Sequence, residues 1–119
     1  MVSVVGMTDL PLDRVDLPTF VDEIGRAAQT AFELPPHMRS VYLVPLPPEN
    51  CTVKDGYEIT FFLYTAPGKS VELKRRIVKA LHDVVQASDW GDTVKVVVII
   101  KEHAAENVGV GGILRLDMT

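Results

Sequence analysis

Lys69 and Ser70, in the run "TAPGKSVELKRRIVKAL" (65–81), put a cation and a hydroxyl where an apolar strand gives way to a helix. A lysine beside the free amides of a helix start favours an anion, and the chemistry this suits is capture of a carboxylate. The other reading is a solvated lysine beside an ordinary Ser70 N-cap. Arg14 lies in an earlier strand-to-helix loop, as a second anion partner or as a solvated loop charge. His37 follows Pro35-Pro36 and is a candidate acid or base, and Arg39 shares its loop. His103 follows the last strand in "KEHAAEN" and is a candidate for holding a ligand. Each of these three is otherwise a surface loop residue.

Several chemistries are excluded. The histidines have no metal-ligand spacing among themselves or with Cys51, so no metal is expected. "APGKS" lacks the earlier glycine of a nucleotide loop, and "GVGG" (109–112) opens no helix, so no nucleotide cofactor is expected. Net charge is −4, and the one basic cluster, Lys74, Arg75, Arg76 and Lys79, reads as a solvated helix face. No nucleic acid partner follows. The apolar run at 94–100 is too short to span a bilayer and the N-terminus lacks the pattern of a signal peptide. One cysteine allows no internal disulfide and suits a reducing compartment, so a soluble cytoplasmic protein without a membrane association is expected.

The elements that must position these residues come from a repeat. The 119 residues fit one domain, with half-repeats at about 1–50 and 55–119. Two helical patterns run from about 19 to 32 and from 70 to 87. A single offset lays Phe20 on Leu73, Ile24 on Ile77, Ala27 on Ala80, Ala28 on Leu81, Ala31 on Val84 and Phe32 on Val85. Every pair is apolar and the spacing is that of one helix face. The same offset lays Val41 on Val94 and Leu43 on Val96, in β-branched runs. A strand signal precedes each helix, at 2–7 and 57–65.

Each half therefore reads strand–helix–strand with parallel strands. The proline-rich stretch 45–56 reads as an excursion or hairpin. An α/β fold follows: two pseudo-repeated β-α-β units, a four-stranded mixed sheet, and two helices on one face. "VKVVVII" (94–100) wants burial on both faces, while two helices cover only one. Other copies must cover the second. The tail reads as a glycine turn and a short apolar strand laid on a neighbour.

The doubled unit, the Gly-Lys-Ser corner and the glycine-rich tail resemble the tautomerase superfamily across nearly the whole chain. "AFELPPHMR" (31–39), "GKSVELKRRIVKAL" (68–81) and "VVIIKEHAAENVGVGG" (97–112) carry the likeness. The nearest branches are those of malonate semialdehyde decarboxylase and the cis-3-chloroacrylic acid dehalogenases. The resemblance implies a homotrimer acting on a small carboxylate-bearing oxo acid, as an isomerase or decarboxylase without cofactor. It also implies an N-terminal proline amine as acid or base, and arginines at the second corner. Here the proline position falls on Val2, whose amine would serve if Met1 is removed, and no proline occurs before Pro11. The corner arginine becomes Lys69, and Met38 stands where the decarboxylase has an aspartate. The alternative is a catalytically silent relative, kept as a subunit or small-molecule binding trimer. A third is a partner-binding protein that uses its trimer surface.

Overall fold

The structure, a computed structural model, describes residues 2–118. The first half runs β1 (Val2–Thr8), α1 (Leu17–Ala31) and β2 (Arg39–Pro45). The second runs β3 (Tyr57–Thr65), α2 (Val71–Gln86) and β4 (Val94–Glu102), followed by a hairpin of β5 (Gly109–Val110) and β6 (Ile113–Leu114). Both helix starts are chemically marked. The Asp16 carboxylate accepts from the Thr19 N–H at 3.4 Å, and Ser70 Oγ accepts from the Leu73 N–H at 3.1 Å. Each satisfies a donor that the first helical turn leaves open.

The sheet order is β2-β1-β3-β4. The outer pairs are parallel and the central pair is antiparallel. Val2 lies opposite Arg39, and Tyr57 opposite Val94, the same separation along the chain in each half. The repeat legible in the sequence is thus a repeat of crossovers. Alternation along the strands does the rest. Val4, Ile59, Phe61 and Leu63 turn inward and are buried with Ile24, Ala28, Ile77 and Leu81 of the helices. Gly6 belongs to this layer because a Cβ there would stand 2.8 Å from Leu43 Cδ2 and 3.1 Å from the Phe61 ring.

Past Pro45, where β2 ends opposite Thr8, the segment 46–56 is an excursion with one short turn, Pro48–Asn50, and forms no strand of its own. It returns through Gly56, whose φ of 77° and approach to the Thr93 carbonyl leave no room for a side chain. On β4, Val96, Val98 and Ile100 pack against the core, while Lys95, Ile99 and Lys101 are exposed. The face away from the helices carries an apolar row across all four strands: Tyr42, Val5, Phe62 and Ile99 stand side by side. Tyr42 is 60% exposed and Ile99 40%. Among the described residues, the two ends of that row are left open and its middle only half-covered. The tail hairpin is apolar and exposed too, with Ile113, Leu114 and Leu116 outward. Among the described residues, no helix is long and apolar enough to cross a membrane.

Candidate functional site

The corner between β3 and α2 does hold an anion, and the anion belongs to the chain itself. Glu102, the last residue of β4, lies opposite Thr65 and shares the helix-facing side with Val98 and Ile100. That register delivers its carboxylate to the start of α2. Glu102 Oε2 accepts the Gly68 N–H at 2.9 Å, and the Lys74 ammonium pairs with Oε1. The hydrogen bond from Lys74, the Gly68 amide, and the fields of Lys74 and Lys69 hold the Glu102 carboxyl below the usual carboxylate range. The Lys69 ammonium stands 5.6 Å from the centre of the Phe32 ring, at the end of α1.

On the other side of the sheet, at the start of β1, lies a cavity of about 190 Å³. Ser3 and Tyr64, which face each other across β1 and β3, form its floor. Ala66 and Pro67 of the corner form one wall, and His103, Ala105, Val108 and Arg115 close it. The His103 ring stacks on Tyr64 with 5.6 Å between centres and 22° between planes. Its backbone N–H donates to the Thr65 carbonyl at 2.8 Å, which fixes the stretch just beyond β4. The tail brings Arg115: its backbone N–H donates to the Val108 carbonyl at 2.7 Å, and a turn at Arg115–Asp117 follows. Among the described residues no carboxylate pairs with Arg115, the only lysine or arginine lining this cavity. A guanidinium beside an apolar wall suits a planar carboxylate on a small carbon skeleton.

The residues singled out from the sequence scatter around this cavity. His103 lines it. Val2 is fully buried, one residue from Ser3, and Met1, on which its amine depends, lies outside the described residues. Lys69 does not line it. His37 is exposed in the turn Pro36–Met38 ahead of β2. Arg39 sits on the helix-facing side, where its guanidinium donates to Asp22 Oδ1 and Gln29 Oε1, both at 3.0 Å. Arg14 is exposed in the turn Leu12–Arg14, which follows the far end of β1. Sequence reasoning missed Ser3, Tyr64, Glu102 and Arg115. Strand parity counted from Val96 would have placed Glu102 on the helix side. Arg115, a lone cation between Leu114 and Leu116 after two glycines, was the other available signal.

A second cavity, of about 310 Å³, lies at the opposite end of the same face, near Thr8, Asp9, Cys51, Lys54 and Glu58. Its charges are used internally: Asp9 Oδ1 accepts the Glu58 N–H at 2.9 Å, and Lys54 pairs with Glu58 at 2.6 Å. Among the described residues no group of three or more His, Cys, Asp or Glu side chains is arranged to hold a metal ion.

The family model for tautomerase enzymes matches residues 59–114. No curated protein matches the sequence. Solved structures do match its fold. The R7 fused 4-OT, an asymmetric trimer, superposes with a TM-score of 0.75 at 18% identity, covering 96% of each chain. Pt0534 inactivated by 2-oxo-3-pentynoate gives 0.73 at 16% identity, covering 97% of this chain and 95% of that one. The FG41 malonate semialdehyde decarboxylase inhibited by 3-bromopropiolate gives 0.69 at 17% identity, covering 93% and 88%.

Proposed function

We propose that this chain, which belongs to the tautomerase superfamily, binds a small oxo acid in the cavity at the start of β1 and moves a proton on it. The observation that carries this reading is Arg115: an arginine with no carboxylate partner among the described residues, lining a small apolar cavity beside an imidazole. The ligand carboxylate lies against the guanidinium, and its carbon skeleton lies over Tyr64 and Pro67. That leaves the carbon next to the carbonyl toward Ser3 and His103. Isomerisation then needs one group that takes a proton from the enol oxygen or the carbon and returns one at the other position. His103 and the chain's own amine, Val2's if Met1 is removed, are the candidates, since an imidazole or an α-amine can shuttle protons near neutral pH. The names of two fold neighbours agree with such a ligand, because 2-oxo-3-pentynoate and 3-bromopropiolate are both small carboxylates. Decarboxylation of a small oxo acid is the other reaction that this arrangement suits.

The assembly we propose is a homotrimer. It would cover the Tyr42–Ile99 row that a single chain leaves bare, as in the fold neighbour that is a trimer. The single cysteine suits a cytoplasmic setting.

A second reading has an observation of its own. The sequence has no proline before Pro11, and the corner's anion site is filled by Glu102. This favours a trimer that binds a small carboxylate without turning it over. Proton NMR of 2-oxobutanoate in deuterated buffer separates the two. The enzyme reading predicts protein-dependent loss of the signal from the carbon beside the carbonyl, slowed by Arg115→Ala and by His103→Ala. Line broadening of the ligand without isotope exchange would overturn it and leave the binding reading.

A further inference from the structure

Resting on the reading in which His103 moves the proton, we infer that Tyr64 is the positioning residue for that step: its ring, stacked on the imidazole, sets the direction in which His103 presents its nitrogens to the ligand. Both side chains line the cavity.

Strand register brings the two together. Tyr64 stands opposite Ser3 of β1 and Lys101 of β4, on the sheet face away from the helices. His103, two residues past Lys101, continues on that face. Its backbone N–H donates to the carbonyl of Thr65, the neighbour of Tyr64. That bond fixes the main chain but leaves the side chain free to turn. A histidine so placed has about six side-chain orientations, three at χ1 and two at χ2.

Among the described residues, no hydrogen bond or ion pair engages the His103 imidazole. The stack on Tyr64 is what selects one orientation, with 5.6 Å between ring centres and 22° between planes. That is the geometry of an offset stacked pair. The Tyr64 hydroxyl engages no other group among the described residues, so the contact belongs to the ring and not to the oxygen. Holding an imidazole by its face has a chemical consequence. Both ring nitrogens stay free to give or take a proton, whereas a positioning hydrogen bond would occupy one of them.

The experiment measures kcat and KM for ketonisation of enolpyruvate by wild type, Tyr64→Leu, Tyr64→Phe, His103→Ala and the double variant Tyr64→Leu/His103→Ala. Far-ultraviolet circular dichroism checks each fold. Tyr64→Leu lowers kcat by about two- to sixfold, because the freed ring divides its time among its orientations. KM changes little, since Arg115 still holds the carboxylate. Tyr64→Phe keeps the ring and recovers most of the loss. In the His103→Ala background, Tyr64→Leu costs nothing further. A reading that needs no variant is a nuclear Overhauser contact between the ring protons of Tyr64 and His103 in the wild type.

An unchanged kcat in Tyr64→Leu, a phenylalanine variant as poor as the leucine one, or losses that add in the double variant each overturn the inference alone. So does the absence of the ring-to-ring contact in the wild type. A wild type that does not turn over, or turnover indifferent to His103→Ala, overturns the proton-transfer reading and the inference with it.

Discussion

Replacing Ile99 by lysine tests whether the bare sheet face is a seam between copies. Ile99 ends the row that starts at Tyr42, and 40% of it is exposed in the single chain. Burying an isoleucine completely is worth about 1.5–3 kcal/mol, so its uncovered share is worth roughly 0.6–1.2 kcal/mol per copy on assembly. In an isolated chain, Ile99→Lys is a surface change, worth within about 0.5 kcal/mol. In a covered seam it places an unpaired ammonium out of water, at a cost of several kcal/mol. A penalty of about 3 kcal/mol per copy weakens association by more than a hundredfold. Sedimentation velocity over a range of concentrations reads the mass, and far-ultraviolet circular dichroism checks the fold. The expected outcome is a folded monomer in place of the wild-type oligomer. The reasoning is refuted if wild type sediments as a monomer, or if the variant keeps the wild-type mass.

Gly6→Ala pushes a methyl against Leu43 and Phe61, and urea melts should show a loss of about 1–3 kcal/mol, the range for overpacking a core. Arg39→Ala removes the bonds to Asp22 and Gln29 from a partly buried guanidinium; a loss of about 1 kcal/mol is expected in the same melts. Because Arg39 faces the helices, proton exchange on 2-oxobutanoate should be unchanged by that substitution. The carboxyl of Glu102 is held low in the folded chain by Lys74 and Gly68, so it stabilises the fold above the ordinary carboxylate range. That contribution fades as the pH falls through the lowered folded value. Urea midpoints followed from neutral to acid pH should therefore fall less steeply in Glu102→Gln than in wild type, and parallel acid limbs would contradict the assignment.

The fold was legible because its signals are local. Phe20, Ile24 and Ala28, and their counterparts Leu73, Ile77 and Leu81, mark two helix faces by spacing alone, and all but Leu73 are buried. Asp16 and Ser70 mark the helix starts by chemistry. The apolar character of both faces of 94–100 pointed to a sheet side that one chain leaves open, and the row through Ile99 is that side. The site was less legible because its parts meet only in three dimensions. Ser3 and Tyr64 meet on the cavity's floor through antiparallel register, and nothing in either segment names the other. Arg115 reaches the cavity only after the hairpin at 109–114 turns the tail back. Lys69 stood where a carboxylate anchor belongs by position, yet the lysine that grips the corner's anion is Lys74, one helical turn into α2. Arg39 looked like a loop cation because the sequence does not reveal that Gly25 opens a groove for it on α1.

The measurement that tests the account most directly is the ketonisation of enolpyruvate by wild type and by Arg115→Ala at equal protomer concentration. With Arg115 holding the carboxylate, kcat/KM falls about ten- to a hundredfold, the worth of a charge-assisted bond of roughly 1.5–3 kcal/mol, and lysine at that position restores part of it. Equal kcat/KM for wild type and Arg115→Ala would place the reaction elsewhere and contradict the account.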